Sequence, residues 1–135
     1  MTDRPMNTVL IVDDELAIRS ILQRFFQSAG FFVGSAENGV EGLKLFQQAD
    51  WDVVVVDRGM PEMNGEDMGK EIKMTHPHVP LILITGLPHA VTRPEQYFAV
   101  LAKPFHPMEL VKIVSQAIDS TPRQERARLV PGSPT

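Results

Sequence analysis

Short unbroken apolar runs alternate with stretches of helical periodicity along this chain. Thr8-Val9-Leu10-Ile11-Val12 is rich in β-branched residues and reads as a strand buried on both faces. Val53-Val54-Val55-Val56 and Leu81-Ile82-Leu83-Ile84 repeat that signature. Phe31-Phe32-Val33 and Phe98 to Ala102 are weaker and complete a set of five strands. Between the runs the period changes. Ile18, Ile21, Leu22, Phe25 and Ala29 fall on one helical stripe, with Gly30 as its stop. Leu43 and Phe46 mark a second, shorter helix after an Asn38-Gly39 turn. Met68 and Ile72 support a third, which follows a loop marked by Pro61 and Asn64-Gly65 and is closed off by Pro77 and Pro80. Leu110, Val111, Val114, Ala117 and Ile118 form the stripe of the last helix, with His106 as cap and Pro107 as first helical residue. From Gly86 to Tyr97, Pro88, Pro94 and Val91-Thr92 disfavour a regular helix, so the element between the fourth and fifth strands is expected to be short or irregular.

Strands alternating with helices imply βαβ units. The expected fold is α/β: a doubly wound, five-stranded parallel sheet with helices on both faces, a three-layer sandwich. Residues 7–119 read as one domain. Residues 120–135, with Pro122, Pro131, Pro134 and three arginines, have no periodicity and read as a disordered tail or linker.

A formal net charge of −4 argues against a nucleic-acid-binding surface. The chain has no cysteine, which removes disulfides and thiolate metal sites. Met1 to Asn7 lack the apolar stretch of a signal peptide, and no apolar run approaches the roughly 20 residues that span a bilayer. A cytoplasmic location without membrane contact is the expectation.

In such a sheet, ligands bind outside the carboxyl ends of the strands. The first strand ends in Asp13-Asp14, the third in Asp57, the fourth in Thr85 and the fifth in Lys103. Each alone has a plain explanation. An acidic pair after a strand is more often a helix cap, a lone Asp a loop capper, a lone Thr structural and a lone Lys surface. Met60, Met63, Met68 and Met74 read as core or loop filler. His76, His78, His89 and His106 fall in loops or caps without ligand spacing.

Together, three carboxylates, a hydroxyl and an ammonium converge on one sheet end. Clustered carboxylates repel unless a cation sits among them, and hard oxygen ligands in a group of three suit Mg²⁺. A carboxylate is also a covalent nucleophile for phosphoryl groups. Phosphoryl transfer needs positioning and charge neutralisation, which Lys103 and Thr85 supply.

The segments Ile11-Val12-Asp13-Asp14-Glu15, Val56-Asp57-Arg58-Gly59-Met60-Pro61, Asn64-Gly65, Ile84-Thr85-Gly86 and Ala102-Lys103-Pro104-Phe105, in this order, resemble the response-regulator receiver domain of two-component systems. The resemblance runs from Thr8 to about Ile118 and implies a flavodoxin-like strand order 2-1-3-4-5. It implies Asp57 as phosphoacceptor in a phosphorelay. Asp14, Asp57 and the Gly59 carbonyl would bind Mg²⁺ directly, with Asp13 acting through water. Thr85, Lys103 and Gly86 would hold phosphoryl oxygens, and the Lys103–Pro104 bond would be cis. The implied partners are a histidine kinase or histidine phosphotransfer protein, an output partner or fused effector domain, and a second copy of the chain on activation. No enzymatic activity is implied beyond self-catalysed phosphoryl uptake and slow autodephosphorylation.

Two departures stand out. The family usually has Tyr or Phe three residues before the lysine as a rotating switch partner of the Thr. Val100 stands there, with Tyr97 or Phe98 as candidate substitutes. The stretch 86–102 is also a few residues shorter than usual, which points to an atypical output face and a reordering of 86–97 on phosphorylation. Two rivals remain: a Mg²⁺ phosphohydrolase, disfavoured by Gly59 where a second acid is wanted, and a receiver-fold binding module not regulated by phosphorylation.

Overall fold

A computed structural model describes residues 6–121; part of the expected tail, 122–135, lies outside them. Five strands, β1 (Thr8–Val12), β2 (Phe32–Ala36), β3 (Val53–Asp57), β4 (Leu81–Thr85) and β5 (Ala99–Ala102), form one parallel sheet in the order β2-β1-β3-β4-β5. Four helices, α1 (Leu16–Ser28), α2 (Gly39–Gln48), α3 (Gly65–Thr75) and α4 (Pro107–Ser120), connect and cover it. The strand order and layering are those expected. In place of a helix between β4 and β5 stand two 3₁₀ turns, Pro88–Ala90 and Pro94–Gln96. Each begins at a proline, whose missing N–H does no harm at a first position.

The central strands are buried along nearly their whole length, and their side chains alternate between two cores. Val9, Ile11, Val53, Val55, Ile82 and Ile84 face α1 and α4, where Leu22, Phe26, Leu110 and Val114 meet them. Leu10, Val12, Val54, Val56, Leu81 and Leu83 face α2 and α3, against Phe46, Met68 and Ile72. Packing both faces hides the central strands' apolar runs and places their carboxyl ends together at one edge.

Local details differ from the sequence expectation. In α1 the buried pair is Leu22 and Phe26, at i and i+4, while Ile21 is 44% exposed and Ala29 is also exposed. Phe26 completes the core edge-to-face with Phe31, which precedes β2 rather than starting it. β2 continues through Gly34 and Ser35, poor strand formers held there by pairing with β1. Asn38 and Asn64 are helix caps rather than turn residues: their side chains accept from Glu41 N at 2.8 Å and Asp67 N at 2.9 Å. His106 caps α4, accepting from Met108 N at 3.0 Å. Gly30 closes α1 with φ 91°, a conformation that costs glycine nothing. Among the described residues, no helix is long and apolar enough to cross a membrane.

Candidate functional site

Asp13 follows β1 directly, and its backbone N–H still pairs with Ala36 as the strand would. The side chain is buried. One carboxylate oxygen does the capping work expected of an acid at this place, accepting from Glu15 N at 2.8 Å. The other, Oδ2, is buried without any hydrogen-bond partner. Arg19, which nothing in the sequence pattern singled out, donates to the Asp13 carbonyl at 2.6 Å and so fixes the backbone here. Burial pushes the Asp13 carboxyl up to about 6, with the charge of Asp57 adding to the effect and the Glu15 N–H and Lys103 opposing it.

Asp14 is exposed at the rim. Asp57 ends β3 and is buried. Ligand oxygens of Asp13, Asp14 and Asp57 all lie within 4.8 Å of one another. Lys103 follows β5, and its ammonium stands 3.1 Å from Asp57 Oδ1 and 3.7 Å from Glu15 Oε1. Burial works against the Lys103 charge, but the hydrogen bond and charge of Asp57, with Asp13 and Glu15 behind it, hold the ammonium above its ordinary value. The Lys103–Pro104 peptide bond is cis.

Thr85 ends β4 in register with Ala102 and is buried. Its hydroxyl oxygen accepts from Leu87 N at 2.9 Å, which leaves the hydroxyl hydrogen for another partner. Asp14, Asp57, Gly59, Thr85, Gly86 and Lys103 line one open cleft of ≈ 380 Å³, together with Glu15, Arg58 and Leu87. A Cβ added to Gly59 or Gly86 would meet nothing within 4 Å, so neither residue crowds the cleft.

The switch positions lie apart from this cleft. Val100 is half-buried on β5 and packs against the core under α2 and α3. Tyr97 is buried in that same core, and its hydroxyl has no hydrogen-bond partner. Phe98 is 42% exposed. Of the two candidate aromatics, Tyr97 is therefore the inward one. The histidines stand as expected in loops and caps: His76 closes α3 and His106 opens α4.

The donor set fits a small hard cation. It offers only oxygens, it is anionic, and one of those oxygens is buried without a partner, an arrangement that costs free energy unless a positive ligand compensates it. With a lysine 3.1 Å from the Asp57 carboxylate and the Thr85 hydroxyl in the same cleft, the class defined is a doubly wound α/β domain with an acid–lysine pocket at the carboxyl edge of its sheet.

Comparison with known proteins narrows the class. The response regulator receiver domain matches residues 9–115. The chain is 37% identical over 126 residues to the DNA-binding transcriptional regulator NtrC of Escherichia coli (strain K12), covering 90% of this chain and 27% of NtrC. It is 36% identical over 118 residues to the sensor kinase CckA of Brucella abortus (strain 2308), covering 83% of this chain and 12% of CckA. Among solved structures, the response regulator TrrA of Thermotoga maritima, in complex with Mg²⁺ and BeF, superposes with a TM-score of 0.77 at 32% identity, covering 83% of this chain and 99% of that one. This chain belongs to the response regulator receiver domain family of two-component signalling.

Proposed function

We propose that this domain is the phosphoacceptor of a two-component phosphorelay, with Asp57 as the residue modified. The observation that carries the reading is the pairing of a buried carboxylate, Asp57, with an ammonium at 3.1 Å inside an otherwise acidic pocket. In the reaction, a phosphorus–nitrogen bond of a donor phospho-histidine breaks and a bond to an Asp57 carboxylate oxygen forms. The electron pair leaves with the imidazole. Lys103 and the Thr85 hydroxyl supply a charge and a hydrogen bond to phosphoryl oxygens, and Gly86 leaves space for the group. Asp14, Asp57 and the Gly59 carbonyl would hold Mg²⁺ directly and Asp13 would act through water. The ion would supply neutralising charge to the transferring group. All five chemical positions are filled, which counts against a binding module unregulated by phosphorylation.

The donor is a histidine kinase or histidine phosphotransfer protein. An apolar groove beside the cleft, lined by Ile18, Ile21, Leu22, Pro104 and Phe105 and reaching Glu15 and Lys103, gives such a donor a surface next to Asp57. The relatives carry a receiver within longer chains of two different kinds, so output runs through a separate partner or a fused effector. We place the domain in the cytoplasm, not bound to nucleic acid or membrane, with a second copy of the chain as a partner on activation. Its own chemistry is limited to phosphoryl uptake and slow loss.

Incubation with acetyl phosphate, with and without Mg²⁺, tests the reading by intact mass. A Mg²⁺-dependent gain of one phosphoryl group, mapped to Asp57 by borohydride reduction, is expected. No gain, or a gain elsewhere, would overturn it.

A further inference from the structure

Asp57 ends β3 and Arg58 follows it directly, and the two turn to opposite faces of the sheet. Val53 and Val55 share the face of Asp57; Val54 and Val56 lie in the core under α3, and Arg58 continues their series. The Arg58 backbone N–H still pairs with Ile84 at 2.8 Å, so the alternation holds to this residue. Arg58 Nε donates to Glu66 Oε2 at 3.0 Å, in the first turn of α3. Arg58 Nη2 donates to the Ala90 carbonyl at 3.3 Å. Glu66 accepts in turn from the Thr92 backbone N–H at 3.1 Å and from the Thr92 hydroxyl at 3.0 Å.

These contacts add to the packing of Val91 on the core in holding this stretch to the domain. Residues 86–90 and 92–95 are exposed. Sequence pattern alone predicts a loosely held element here, yet two side chains staple it to the phosphoacceptor strand. The Arg58 and Glu66 side chains are 29% and 13% exposed, shielded enough for the pair to matter. Burial works against the Glu66 charge, but hydrogen bonds from Arg58 and Thr92 outweigh it and hold its carboxyl below the ordinary value. Close by, the buried Tyr97 hydroxyl feels the charges of Glu66 and Arg58. Arg58 also lines the cleft that holds Asp57, Thr85 and Lys103.

We infer that Arg58 is a two-position residue whose exchange of Glu66 for a phosphoryl oxygen releases the 88–92 stretch. This rests on Asp57 being the phosphoacceptor. Phosphorylation turns the Asp57 carboxylate into an acyl phosphate, which adds about one net negative charge and three strong acceptor oxygens beside Arg58, and guanidinium binds phosphate through paired, charge-assisted hydrogen bonds. Once Arg58 swings toward the cleft, Ala90 loses its donor, and Glu66 loses the guanidinium that holds it in place beside Thr92. The segment between β4 and β5 is then free to rearrange, and Tyr97 at its end gains access to Glu66. The device needs no aromatic at position 100, where Val100 stands.

Hydrogen exchange of the full chain, free and with Mg²⁺ plus beryllofluoride, tests the latch, with acetyl-phosphate uptake measured in parallel. In the wild type, the Thr92 amide is expected to exchange about tenfold faster on activation, the loss due to one charge-assisted hydrogen bond. In Glu66→Ala, which leaves Thr92 no acceptor on α3, it should exchange fast already in the free protein and change little on activation, while uptake stays at the wild-type rate. Arg58→Lys, which keeps charge but lacks the fork that reaches both Glu66 and Ala90, should lie between them. Unchanged Thr92 protection in free Glu66→Ala, or no acceleration in activated wild type that does take up phosphate, would overturn the latch. Absence of uptake in the wild type would overturn the phosphoacceptor reading, and the latch with it.

Discussion

Lys103 holds Asp57 in a 3.1 Å ion pair across the cleft between β3 and β5. The ammonium thus already stands where a phosphoryl oxygen on Asp57 would need a counter-charge, and it is pre-positioned by its own strand. The same charge repels any other cation entering among Asp13, Asp14 and Asp57. Replacing it separates the two effects. Lys103→Met should tighten Mg²⁺ binding by calorimetry, on the order of tenfold for removing one nearby positive charge. Phosphoryl uptake from acetyl phosphate should fall at the same time. Both quantities falling together would mean that Lys103 serves only to hold the site's shape.

Asp57→Asn should abolish phosphoryl uptake and leave the fold intact. An amide keeps the planar shape but forms no acyl phosphate. Because the strand around it is buried on both faces and makes its contacts through Val53 to Val56, circular dichroism should be unchanged. Phosphoryl gain by the variant at the wild-type rate would move the nucleophile elsewhere.

The pH dependence of metal-free stability should carry the mark of Asp13. Burial raises its carboxyl from 3.8 to about 6 in the folded protein. Between those values the folded state binds a proton that the unfolded state has released, so stability falls as pH rises through the window and levels above it. Two units correspond to about 2–3 kcal/mol as an upper figure. Asp13→Asn, which cannot ionise, should lose this dependence and exceed the wild type in urea midpoint above pH 6. Mg²⁺ should restore wild-type stability above the window. Parallel pH profiles for wild type and variant would show that the buried oxygen is compensated some other way.

The sheet and its carboxyl-edge cluster were legible because the determinants are local. A β-branched run without polar breaks has few places to go except the middle of a parallel sheet, and its last residue then stands at the ligand-binding edge. What was not legible depends on tertiary distance. The stripe read in α1 took Phe25, whereas Phe26 is the fully buried ring, set there by its edge-to-face contact with Phe31. Asn38-Gly39 and Asn64-Gly65 carry turn chemistry, but the same side-chain acceptor serves a helix cap, and only the following packing decides. Trp51, near in sequence to Asp57, packs against Gly34 and Phe32 before β3 begins, at the end of the sheet away from the cleft. It is therefore a poor reporter of metal binding. The Arg58–Glu66–Thr92 contacts join the residue after β3, the first turn of α3 and the segment after β4, a set that no spacing rule connects.

Gly65 ties the fold to the site most directly. It opens α3 and its N–H donates to the Arg58 carbonyl at 3.0 Å, so the helix start rests on the residue that follows β3. A Cβ at position 65 would collide with the carbonyl oxygen of Asp57 itself. It would also lie 2.8 Å from Arg58 Cα and 2.8 Å from Val56 Cγ1. Two of the three obstacles are backbone, and the third is a packed core side chain, so none yields without moving the strand. Gly65→Ala should cost about 1–3 kcal/mol, as overpacking generally does. It should also slow phosphoryl uptake, because the displaced backbone is the one that aims Asp57 at Lys103. Gly59→Ala is the matched control. It adds the same methyl group in the same region, into open space and at an ordinary φ, and should change stability by less than about 0.5 kcal/mol. Urea denaturation of both variants, with uptake measured for Gly65→Ala, decides the matter. Equal midpoints for the two would show that α3 is free to shift away from β3, and that the close approach at Gly65 does not set the position of Asp57.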